Sequence, residues 1–191
     1  MSLAALRRVV LTAMACSVAA YAVAADEKKE VREVKVEDIT LSVPADWKEQ
    51  PPANRLRLAQ FVVPPTEGDT DPTEMAVSRA GGGVDANIER WTGQFAADGR
   101  EVKVVQGESK QGGYHFVDIR GTYNMSIGPP IRQQTKAVPN ARMLGVILEV
   151  ADKGTYFLKL AGPEKTVSPQ EEALRASIGG DKATEKPYEL K

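Results

Sequence analysis

The sequence predicts an α+β domain: a mostly antiparallel sheet of about six to seven strands sandwiched by helices. Three observations carry this expectation. Short apolar runs with period-two alternation recur along the chain and are joined by hairpin-type turns. Helical patterns occur twice, once at mid-chain and once near the end. One strand–helix–strand crossover is available, which leaves little room for parallel pairing.

The chain opens on Arg7-Arg8, followed by an apolar run from Val9 to Ala24. Ala22-Val23-Ala24 supplies the small residues of a cleavage site, so residues 1–25 read as a secretory signal peptide. A membrane anchor is the alternative, but the run is short and rich in alanine, and charged sequence follows it directly. Cys16 is the single cysteine, and Thr12-Ala13-Met14-Ala15 before it lacks the leucine of a lipidation site. Cleavage would leave about 166 residues, enough for one domain with its own core. The mature chain then has no thiol nucleophile, thiolate metal site or disulfide. Arg7 and Arg8 leave with the signal, which takes the net charge from −1 to about −3 and argues against a nucleic-acid partner. No second apolar run is long enough to span a bilayer, and the signal peptide makes the expected location periplasmic or extracellular.

Residues 26–33 read as a flexible leader and residues 34–180 as a single α+β domain. Ile39, Leu41 and Val43 alternate as a strand that Pro44 stops, with Trp47 folded back on the core. Leu56 to Val63 reads as a second strand, with Leu56, Leu58 and Phe61 inward, and Met75 to Ala80 as a third. A helix follows, because Val84, Ile88, Trp91 and Phe95 recur on one stripe. Asp85 is its expected cap and Gly99 its stop. Val102 to Glu108 and Tyr114 to Tyr123 read as two further strands, and Met125 to Asn140 as a long loop carrying Pro129, Pro130 and Pro139.

The hairpin from Arg142 to Ala161 organises the rest. Leu144, Val146, Leu148 and Val150 share one face of the first arm, and Met143 and Ile147 the other. Tyr156, Leu158 and Leu160 lie opposite Phe157 and Ala161 on the second arm. A strand apolar on both faces belongs inside a sheet covered on both sides. Asp152-Lys153-Gly154 suits the turn, with Gly154 left-handed. Ser168, Pro169 and Glu171 form a helix start, with Leu174 and Ile178 one turn apart and Gly179-Gly180 as the stop. Residues 181–191 read as a disordered tail.

The strand ending in Val43-Pro44-Ala45-Asp46-Trp47, the Trp-bearing helix, the two hairpins, and Gly162-Pro163 leading into a closing helix together resemble the PsbP-like family. That family includes extrinsic photosystem II subunits, a eukaryotic Ran-binding nuclear-transport factor and many exported bacterial proteins. The resemblance covers roughly Val34 to Ile178 and rests on element order and a few aromatic positions. It implies an αβα sandwich and a role as an accessory protein docked on a larger partner. No functional residue of the family maps onto a position here.

Several constellations bear on chemistry. Gly81-Gly82-Gly83-Val84-Asp85-Ala86 fits G-x-G-x-x-A between a strand and a helix. Asp85 puts negative charge where a phosphate would sit, and the strand before it carries Ser78 and Arg79, so a flexible turn is the better reading. His115, the one histidine, shares a face with Val117 and Ile119. It reads as a packed, hydrogen-bonded core residue, since a triad needs three placed groups and no G-x-S-x-G elbow exists. Glu67, Asp69, Asp71 and Glu74 cluster at a spacing that oxygen ligands for Ca²⁺ can adopt. They lack an EF-hand pattern and are interrupted by Pro72, so a solvated acidic loop is the default. No other cofactor is expected. Within the loop from Met125 to Asn140, Ile131, Arg132 and Lys136 are the candidate partner-binding residues, alongside the apolar Ile127 and Val138. Trp47 and Trp91 read as core anchors. The functional expectation is an exported, non-enzymatic accessory module with a protein partner of the envelope or exterior. The alternatives are a small-ligand or Ca²⁺-binding domain, or a hydrolase using carboxylates such as Asp118 or Glu149.

Overall fold

The structure is a computed structural model that describes residues 30–70, 73–127 and 134–191. Among these residues the chain is dominated by strands in two antiparallel sheets. β1 (Val31–Val36) and β2 (Ile39–Pro44) form a two-stranded ribbon. β3 (Lys48–Gln50), β4 (Arg57–Val63), β5 (Thr73–Arg79), β6 (Glu101–Ser109), β7 (Gly112–Ser126), β8 (Thr135–Val150), β9 (Gly154–Pro163) and β10 (Lys186–Pro187) form an eight-stranded sheet in the order β10-β6-β7-β8-β9-β5-β4-β3. The helices are α1 (Val84–Thr92), α2 (Glu164–Val167) and α3 (Glu171–Ser177).

The α+β, helix-sandwiched expectation is therefore corrected to a mainly sheet fold. β3 adds a short edge strand at Lys48–Gln50, and four further segments account for the rest of the difference. Val34 and Val36 alternate with charges, and pairing with β2 turns Val36 inward, so the expected leader contributes a strand from Val31. β7 runs to Ser126 and β8 starts at Thr135, so much of the expected loop from Met125 to Asn140 is a two-stranded ladder. The expected tail contains β10, paired with Val105 and Gln106 of β6. The expected closing helix is divided, with Ser168–Gln170 forming a 3-10 turn around Pro169, and Ser168 makes no side-chain cap.

α1 also differs at both ends. Its N-cap is Gly83, with no side-chain cap, and Asp85 sits in the first turn. It ends at Thr92 and not near Gly99, because Arg100 Nη1 donates to the Thr92 and Phe95 carbonyls and Phe95 bridges to Tyr123 of β7. On β4 the inward residues are Ala59, Phe61 and Val63, whereas Leu56 is exposed.

β8 lies inside the sheet, as its two apolar faces demand. On one face Leu144, Val146 and Leu148 pack with Tyr114, Phe116, Leu158 and Phe61. The β1–β2 ribbon, Trp47 and the α2–α3 segment close this side through Ile39, Leu41, Val167 and Leu174. On the other face Met143, Ile147, Val117 and Phe157 pack under Ile88 and Trp91 of α1. Gly145 allows that approach: a Cβ there would lie 2.4 Å from the Trp91 ring. β8 thus stands between two cores covered by different kinds of element, a ribbon with short helices on one side and a single helix on the other.

Candidate functional site

Two polar clefts interrupt this apolar frame. The first lies where β6, β7 and β8 meet the C-terminal segment. Arg120 and Arg142 face one another across the β7–β8 ladder, which puts Asp118 diagonally beside Arg142 on one face. The Arg142 guanidinium is 3% exposed and donates from Nε and Nη2 to the two Asp118 carboxylate oxygens at 2.8 Å each. Its Nη2 also donates to Glu171 Oε2 at 2.6 Å. One turn along α3, Arg175 Nε donates to Glu185 Oε1 at 2.6 Å, and its Cζ stands 4.0 Å from the Phe116 ring centre. Tyr114 donates to the same Glu185 oxygen at 3.0 Å. Lys182 reaches Glu171 and Glu172 at 3.2 Å, and Arg120 reaches Glu164 at 2.8 Å.

The titration behaviour follows from this arrangement. Burial pushes the Glu171 carboxyl up, but hydrogen bonds from Arg142 and Lys182 outweigh it and bring the pKa down to about 2. Burial opposes the Arg142 charge, yet Asp118 and Glu171 hold it above the ordinary guanidinium value. Burial and the Glu185 carboxylate push the Tyr114 phenol up to about 12. The buried cations Arg142 and Arg175 each have a carboxylate, and Asp118, Glu171 and Glu185 each have a donor. The cleft, about 440 Å³, is closed electrostatically by its own side chains and fastens the C-terminal segment to the sheet.

The second cleft, about 530 Å³, lies on the opposite face, beyond the edge of α1. Lys159 on β9 pairs with Ala76 of β5 and Gly145 of β8, and alternation puts it on the same face as Phe157 and Ala161. Its Nζ donates to Gln94 Oε1 and, at 2.9 Å, to the Tyr123 hydroxyl. Both acceptors are neutral. The nearby carboxylate, Glu74, is engaged elsewhere: Oε1 accepts from Gln60 at 3.1 Å and Oε2 from Arg57 at 3.1 Å. Burial brings the Lys159 amine down to about 8, and the Arg57 and Arg90 charges add to the effect. Burial also raises the Tyr123 phenol.

The residues singled out from the sequence are dispersed. His115 is buried beneath Tyr188, ring centres 4.5 Å apart, and its buried Nδ1 has no hydrogen-bond partner among the described residues. It is packed as expected, but at that atom not hydrogen-bonded. Glu149 Oε2 lies 3.8 Å from this Nδ1. Asp118 lies on the other face of the sheet, locked to Arg142, so Asp118 and Glu149 do not converge. Glu67 is exposed, Asp69 accepts from Thr166, and Glu74 lines the Lys159 cleft; Asp71 lies outside the described residues. Among the described residues no group of three His, Cys, Asp or Glu side chains is gathered for a metal. Lys136 lies on β8, whereas Ile131 and Arg132, like residues 1–29, lie outside the described residues. Asp85 accepts from Tyr188 at 2.7 Å and from the Lys191 backbone N–H at 2.9 Å, so the turn from Gly81 to Ala86 anchors the chain's end.

Sequence reading missed Lys159, Arg57, Gln94 and Tyr123. The available signal was a lysine between Leu158 and Leu160, on the same face as Phe157 and Ala161 in a strand with two apolar faces. No protein-family model matches the chain, and comparison with curated proteins gives no match. No helix among the described residues is long and apolar enough to cross a membrane.

Proposed function

We propose that this chain is an exported accessory module that binds a protein of the cell envelope or exterior through the distal part of the β7–β8 hairpin. One observation carries the reading. β7 and β8 outrun their neighbours: the ladder from β6 ends at Arg120, and the ladder from β9 ends at Ala141. Beyond these points the two strands pair with each other from Tyr123–Val138 to Ser126–Thr135; residues 94–96 bond the base of β7 as far as Asn124, and past it Ile127 N–H closes onto the Gln134 carbonyl at 2.8 Å. The result is a projecting ribbon with Ile127, Thr135, Lys136 and Ala137 exposed.

Such an arm offers side chains to a partner at little ordering cost, because its backbone is already hydrogen-bonded. Pro139 lacks an N–H and Asn140 has φ 51°, so the outer edge of β8 is poorly suited to pairing with a further strand. Recognition through side chains fits better than strand addition.

The test places a photo-crosslinking residue at Thr135 in the full-length protein within its native cell, with Glu49 of β3 as a control position. The reading expects one dominant adduct from position 135 and none from position 49. Equal labelling from both positions, or no adduct from 135, contradicts it. Intact-mass measurement of the exported protein, with cleavage expected before Ala25 or Asp26, tests the export half of the reading separately.

A further inference from the structure

We propose that the cleft around Lys159 is a binding site for a small anion of the carboxylate or phosphate class, with Lys159 as its ligand-facing cation. The proposal is independent of the ribbon reading.

The charges of Arg57 and Arg90 act on the Lys159 amine, which stands in a cleft whose lining includes one carboxylate, Glu74. Both Glu74 oxygens are taken, by Gln60 and by Arg57. Among the described residues, no carboxylate lies within ion-pairing distance of the Lys159 amine. A partly buried ammonium with neutral acceptors alone is costly, because the charge has lost water and gained no counter-charge. Arg142, the buried cation that fastens the C-terminal segment, has carboxylate oxygens at 2.6 to 2.8 Å. Lys159 has none.

Geometry agrees. An ammonium has three N–H donors, and Gln94 and Tyr123 take two of them. These acceptors orient the amine while leaving a donor for a ligand. The cleft is bounded by Gln94 and by Tyr123, Met125 and Ser126 at the base of the ribbon, with Arg57 and Glu74 on the far wall. A cleft of about 530 Å³ falls within the range of small-molecule sites. The small side chains Ala76 and Ala161 keep its floor open. The titratable groups that face the Lys159 amine from neighbouring elements are Arg57, Glu74, Arg90 and Tyr123. Arg57 and Glu74 pair with each other, so the charge of Lys159 is left over in the lining and favours a negative ligand.

The experiment measures the melting temperature of the full chain at pH 7 with sodium phosphate or sodium citrate, against sodium chloride at matched ionic strength. Binding at a hundred times Kd raises the apparent stability measurably through mass action. The expected result is a rise of a few degrees with at least one probe. Phosphate alone assigns a phosphate-class ligand, and citrate alone a carboxylate-class ligand. The rise should vanish in Lys159→Met and survive in Lys159→Arg. Glu74→Gln removes the one negative wall and should tighten binding several-fold, a gain that misfolding cannot produce. The proposal is overturned if neither probe exceeds the chloride control, or if Lys159→Met keeps the same rise. Should Lys159→Met fail to fold, an unchanged probe affinity in Glu74→Gln overturns it instead.

Discussion

The two polar clefts lie on opposite faces of one sheet and treat a buried cation in opposite ways. At the C-terminal cleft, Arg142 is held by Asp118 and Glu171, and Arg175 by Glu185. At the α1 edge, Lys159 is held by an amide and a phenol. The first arrangement is satisfied from within and works as a fastener. The second keeps a positive charge uncompensated, which is the condition a ligand site requires.

Substitutions separate the two arrangements by the size and sign of their effects. The largest effect is expected from Arg142→Ala, which removes the buried cation shared by Asp118 and Glu171 and leaves them the longer contacts of Arg120, Arg175 and Lys182. Loss of one partner of a buried pair costs roughly 3–5 kcal/mol, to be read as a shift in the urea midpoint. An exposed-type response below about 1 kcal/mol would place Arg142 outside the load of the fold.

Glu171→Gln comes next, at about 1–3 kcal/mol for a buried hydrogen-bonded charge, and it also changes the response to acid. Its folded-state pKa, about 2, lies below the ordinary carboxyl value of 4.5. The contribution is therefore complete above the unfolded pKa and is lost as pH falls from about 4.5 toward 2. Urea midpoints measured through that window should fall less steeply in Glu171→Gln than in the parent chain. Identical slopes would remove Glu171 from the account of acid sensitivity.

Lys159→Met should behave oppositely. The amine's folded-state pKa, about 8, is below its ordinary 10.5. The unfolded chain thus binds more protons between these values, and the charged amine costs stability below pH 8. The variant is expected to match the parent within about 1 kcal/mol or exceed it at pH 7, with any gain shrinking as pH rises toward 10.5. A large loss of stability at pH 7 would make Lys159 a structural residue after all. The smallest effect belongs to Lys182→Ala. Its side chain is 57% exposed, and loss of exposed pairs costs less than about 1 kcal/mol.

The central hairpin was legible because Leu144, Met143, Tyr156 and Phe157 show both apolar faces in local sequence. The stripe of Ile88 and Trp91 revealed α1 equally well. The mainly sheet character was not legible, because β1, β3, β10 and the distal β7–β8 ladder are charged or short. β10 takes its strand conformation from a partner distant in sequence, Lys186 with Gln106, whereas β1, β3 and the distal β7–β8 ladder pair with the next strand along the chain despite lacking a continuous apolar face. The Arg142 fastener depends on Glu171, 29 residues away, and no local pattern encodes that meeting. Lys159 left a trace as a charge on an apolar face, but the absence of a carboxylate beside it is a property of the folded sheet.

The most direct test of the contrast is a pH titration of the full chain carrying 13C-labelled lysine, following each Cε resonance by NMR. Lys159→Met identifies the resonance of interest by its disappearance. This resonance is expected to titrate near 8 and that of Lys182 above the ordinary lysine value, and saturating phosphate or citrate is expected to move the Lys159 midpoint upward. A Lys159 midpoint at the ordinary lysine value, unmoved by either anion, would contradict that expectation.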